Sequence, residues 1–155
     1  MKNALAIVLA LIGATVAAPT LAAGASATAS KLGATMNTRQ VVTPKNKRWN
    51  APASVAKARG TFTGTLNKKT GKLTWRITYS GIGKPALTLA DIHLGPRGKF
   101  GALIVRLCGD CKSGQRGTSK VKRSFVTAIT SGNSWVTLIT GKYPNGVIRG
   151  QIRIS

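Results

Sequence analysis

Over residues 72–79 the chain alternates without a break: Leu73, Trp75, Ile77 and Tyr79 fall on one side, and Lys72, Thr74, Arg76 and Thr78 on the other. A two-residue period is that of an extended strand with one face on a core and the other wet and, here, cationic. Residues 59–66 repeat the pattern, with Phe62 and Leu66 opposite Thr61, Thr63 and Thr65, and Asn67-Lys68-Lys69-Thr70-Gly71 is the turn joining the two. Further strands are read over residues 86–94 and 102–107, around the Gly95-Pro96-Arg97-Gly98 turn. Residues 134–140 and 147–154 read as a hairpin around Tyr143-Pro144-Asn145-Gly146, with Ile148, Ile152 and Ile154 inward and Arg149, Gln151 and Arg153 outward. Residues 113–117 read as a loop and residues 120–130 as a short helix. Short strands at regular intervals without helical crossovers predict an all-β fold, an antiparallel β-sandwich or Greek-key barrel with at most one short helix.

The N-terminus is of another kind. Met1-Lys2-Asn3 followed by a largely apolar run to Ala18 and a small-residue stretch has the form of a secretory signal, with cleavage near residue 22 or 27. The domains expected are a signal peptide over 1–27, a basic arm or edge strand over 28–47, and a β domain over 48–155. Export places the mature chain in a secreted, periplasmic or cell-envelope setting.

Charge narrows the function. The 155 residues hold 24 Lys+Arg against 2 Asp+Glu, a net charge of 24 − 2 = +22. Two carboxylates cannot supply an EF-hand, a di-metal carboxylate centre or a magnesium-dependent phosphoryl-transfer site. Most of the cations have no acid to pair with and must face water or another molecule's anions. The candidate polyanion-binding residues are Lys68, Lys69, Lys72, Lys120, Lys122 and Arg123, with Arg149 and Arg153 on the last strand. Outside the cytoplasm the partners expected are anionic polymers or an anionic membrane surface, with another extracellular protein as a further class.

Several segments carry a family resemblance. Gly60-Thr61-Phe62-Thr63-Gly64-Thr65-Leu66, Leu73-Thr74-Trp75-Arg76-Ile77-Thr78-Tyr79-Ser80-Gly81, Ile92-His93-Leu94-Gly95-Pro96 and Tyr143-Pro144-Asn145-Gly146-Val147-Ile148-Arg149-Gly150-Gln151-Ile152 together resemble the CHRD domain, the module first described in chordin and widespread in secreted bacterial proteins. The resemblance runs from about Met36 to the C-terminus. It implies an extracellular all-β module, and it does not imply an enzyme. Where the family typically shows His-x-His, this chain has Asp91-Ile92-His93. It has Ile139 in place of another His, and Val147 in place of a Glu.

Two constellations remain. Asp91 and His93, two apart on a strand, share a face and read as a structural pair in a polar seam. As metal ligands they are weak candidates, because zinc sites need three or four protein ligands. Cys108-Gly109-Asp110-Cys111 is a C-x-x-C, which in an exported all-β chain reads as a local disulfide. The reading is therefore a non-enzymatic binding module without cofactor or small-molecule substrate. The competing reading is a metal- or redox-active envelope protein using His93, Asp91 and the cysteine pair.

Overall fold

A computed structural model of the chain describes residues 28–83 and 88–155. The expected signal peptide lies outside the described residues. The strands are β1 (Ala29–Asn37), β2 (Arg59–Asn67), β3 (Lys72–Ser80), β4 (Thr88–Leu94), β5 (Leu103–Cys108), β6 (Arg116–Lys120), β7 (Ser134–Thr140), β8 (Tyr143–Gln151) and β9 (Arg153–Ile154), with one helix, α1 (Arg123–Thr130), and a 3-10 turn over Thr38–Gln40. They form one antiparallel sheet in the order β5-β4-β7-β8-β1-β2-β3-β6, with β9 also paired to β1. The end strands β5 and β6 approach each other, so the sheet curls into a nearly closed barrel. The all-β expectation holds, and the barrel form is the one adopted.

The interior follows the alternation. Phe62, Leu66, Leu73, Ile77, Ile92, Val136, Leu138 and Ile148 are all fully buried in one contiguous core, and α1 adds Val126 and Ile129. Within residues 28–47, Ala29–Asn37 form an interior strand rather than an arm or an edge: β1 pairs with β2 over nine positions and lies between β2 and β8. Its inward series is Ser30, Leu32, Ala34 and Met36, and the small members Ser30 and Ala34 weaken the apolar signal that sequence reading relies on.

Four other expectations are corrected. The helix begins at Arg123, because Lys120 still pairs in β6 and the Val121 N–H donates to the Gly71 carbonyl. The segment taken as a loop over residues 113–117 runs into strand β6. The last hairpin turns at residues 141–142, since Tyr143 already pairs with Thr140. Ile154, expected inside, is 59% exposed on β9.

Candidate functional site

Pairing gathers cations that are dispersed in sequence. Lys72 on β3 sits directly opposite Lys120 on β6. The Lys120 ammonium donates to the Thr70 carbonyl of the β2–β3 turn, and that turn carries Lys68 and Lys69. Lys122 and Arg123 follow immediately. Six of the eight candidate cations thus meet at one end of the β3–β6 pair, all exposed. Arg153 is exposed on β9, opposite Gly33 of β1.

The same ladders extend this end into a face. On the outer side of the sheet, register sets Thr35, Thr61 and Thr78 in one row, and Gly33, Thr63, Arg76 and Arg116 in the next. Lys31, Thr65, Thr74 and Thr118 form the third row. Strands about 4.8 Å apart and same-face residues about 6.7 Å apart make this a regular lattice of hydroxyls and cations. Arg76 faces Arg116 as directly as Lys72 faces Lys120, and like charges in such positions repel. Arg76 and Arg116 are functional candidates that sequence reading missed: Arg76 lay on a recognised wet face, but its partner strand was not recognised. The face is dished into depressions of about 540, 470 and 370 Å³. The first two share Thr63 and Ser155, and the first and third share Thr35 and Thr61, so they form one trough.

Arg149 does not belong to this face. The alternation correctly turned it away from the core, yet it is 2% exposed, because residues 95–101 fold over the outer side of β4, β7 and β8. Its guanidinium carbon lies 3.9 Å from the centroid of Trp135, and Nη2 donates to the Pro96 carbonyl at 3.3 Å. Burial lowers its pKa to about 10. The Trp135 π face and the carbonyl offset part of the cost of burying an unpaired cation. Gln151, also read as outward and wet, is buried here too, with its amide nitrogen donating to the Gly95 and Gly132 carbonyls.

His93 stacks on Trp135 at 4.3 Å with an interplanar angle of 7°. Its Nδ1 lies 3.0 Å from the Gly101 carbonyl, which only accepts, so Nδ1 carries the proton. Burial pushes the imidazole pKa below its ordinary 6.5; the Gly101 bond and Asp91 oppose this, and Arg149 and Arg106 reinforce it. Asp91 does not bond His93. Both its oxygens accept from Arg106 on β5, at 3.0 and 3.3 Å. The polar seam therefore exists, but as Asp91 with Arg106 beside His93 with Trp135. Among the described residues no group of three or more His, Cys, Asp and Glu gathers as a metal site.

Cys108 and Cys111 are joined by a disulfide, with sulfurs 2.07 Å apart. It lies at the seam of the barrel: Cys108 pairs with Ala90 of β4, the Cys111 N–H donates to the Thr88 carbonyl, and the Tyr79 hydroxyl donates to the Cys111 carbonyl.

In comparison with known proteins, the family model described as the CHRD domain matches residues 32–152, which is most of the chain. No curated protein and no solved structure matches it.

Proposed function

The chain belongs to the CHRD domain family, and from that premise we propose that it is an exported, non-enzymatic binding module whose cationic strands associate with anionic envelope or extracellular polymers, or with an anionic membrane surface. CHRD domains occur in extracellular proteins and are not known as enzymes. Among the described residues no helix is long and apolar enough to cross a membrane. The observation that carries the reading is the pair of like-charged rungs, Lys72 with Lys120 and Arg76 with Arg116, on an outer face whose rows hold threonines. Such rungs repel within the protein and are relieved by a bound anion. Support for the metal or redox reading is weaker, because Asp91 is held by Arg106 and the His93 Nδ1 by Gly101.

The test is a salt titration of binding to heparin, duplex DNA and vesicles containing anionic headgroups. Counterion release predicts that log K falls linearly with log salt, and that Arg76→Thr with Arg116→Thr reduces the slope by about 1 to 2. Binding should persist to about pH 9, since Lys and Arg supply the charge. Absent or salt-independent binding to all three overturns the proposal.

A further inference from the structure

Resting on that reading and narrowing it, we infer that the outer-face trough takes an acidic polysaccharide, its sugar hydroxyls meeting the threonine rows and its anionic groups meeting the arginines. From the Arg59 row to the Thr65 row the face runs six residues along β2, about 20 Å at roughly 3.3 Å per residue, which suits a segment of a linear polymer better than a single small molecule. Each depression carries its own cation: Arg59 in one, Arg97 and Arg153 in the middle, and Lys31, Arg76 and Arg116 in the last. Charge therefore recurs along the trough at intervals.

The threonine rows separate a glycan from other polyanions: each hydroxyl both donates and accepts, as a sugar hydroxyl does, whereas polyphosphate and the DNA backbone offer no donor. Bases, in turn, would need aromatic platforms. Phe62 and Trp75 are buried inward, and Tyr79, at the edge of the third depression, packs against the core with its hydroxyl donating to the Cys111 carbonyl, so among the described residues no row of free rings runs along the trough.

The experiment compares alginate, single-stranded DNA and polyphosphate at matched charge and about 0.15 M salt, for the intact protein and for a Thr63→Val/Thr65→Val variant. Valine keeps the branched shape that strands favour and removes the hydroxyl, and thermal unfolding verifies that the variant is folded. Losing two or three hydroxyl hydrogen bonds should weaken alginate binding about tenfold, leaving DNA and polyphosphate within about twofold. An equal effect on all three polymers, or no effect on alginate, overturns the glycan assignment and leaves the general polyanion reading intact. If none of the three binds the intact protein, the polyanion reading fails and the glycan assignment with it.

Discussion

His93 is one imidazole in a chain with two carboxylates, so few other groups titrate between pH 5 and pH 7. Stacked on Trp135 and desolvated, it has a folded-state pKa below 6.5. The sign follows directly. Over the interval between the two values the unfolded chain binds the proton more readily than the folded one, so stability rises with pH there. The contribution of the neutral ring is present above about pH 6.5 and is lost as the pH falls from there through the folded-state value. Chemical denaturation from pH 8 to pH 5 should show this loss, and His93→Gln, which keeps an N–H for the Gly101 carbonyl, should flatten it. Identical profiles for the two proteins would rule out His93 as the source. Arg149, on the same tryptophan, titrates near pH 10 and stays charged throughout this window.

Among the elements, β6 shows why part of the fold escaped sequence reading. Its sequence is Arg-Gly-Thr-Ser-Lys, with no large apolar residue at any inward position. The inward space is filled by its neighbour. Trp75 on β3 lies against Gly117, where an added Cβ would come 2.3 Å from the ring, and its Nε1 donates to the Ser119 hydroxyl at 3.0 Å. A strand that receives a tryptophan must itself be small, and the hydrophobic period is thereby erased. Gly117→Val should therefore overpack this contact and cost about 1–3 kcal/mol, read as a lower urea midpoint with altered tryptophan fluorescence. An unchanged midpoint would mean that the ring has room to move. Where a strand supplies its own apolar residues, the sequence was legible: β3 and β7 lie where the alternation put them, Ser134–Thr140 to the residue. For Arg149 and Gln151 alternation gave the side of the sheet correctly and the solvent exposure wrongly, because the cover comes from a loop over fifty residues away. That loop depends on Gly101, whose Cβ would lie 1.7 Å from the Leu94 carbonyl oxygen, a close approach that no periodicity reveals. Similarly, the six-cation end was visible as separate clusters, but their meeting depends on the pairing of β3 with the unrecognised β6.

At the scale of the molecule, salt should act on stability and on binding with opposite signs. A domain of this size has a radius of gyration of about 14 Å. At 10 mM salt the Debye length is about 30 Å, so every charge of the +22 chain feels the whole set, while at 0.1 M it is about 10 Å and repulsion shrinks to near neighbours. Among the described residues, the ion pair found is that of Asp91 with Arg106, so screening removes far more repulsion than attraction. Adding salt from 10 mM to 0.1 M should therefore raise the Tm, by about 3 °C for each kcal/mol of repulsion relieved. Over the same range polyanion affinity should fall, because the counterions released on binding become costlier to release. The rungs Lys72–Lys120 and Arg76–Arg116 contribute to both effects. Replacing Arg76 and Arg116 by Thr should accordingly raise the Tm at 10 mM salt, narrow the gap between the two salt conditions, and weaken polymer binding. A Tm that falls with salt in the intact protein would show that attractions outweigh repulsions, and would remove the argument that these strands stand ready for an anion the protein does not itself provide.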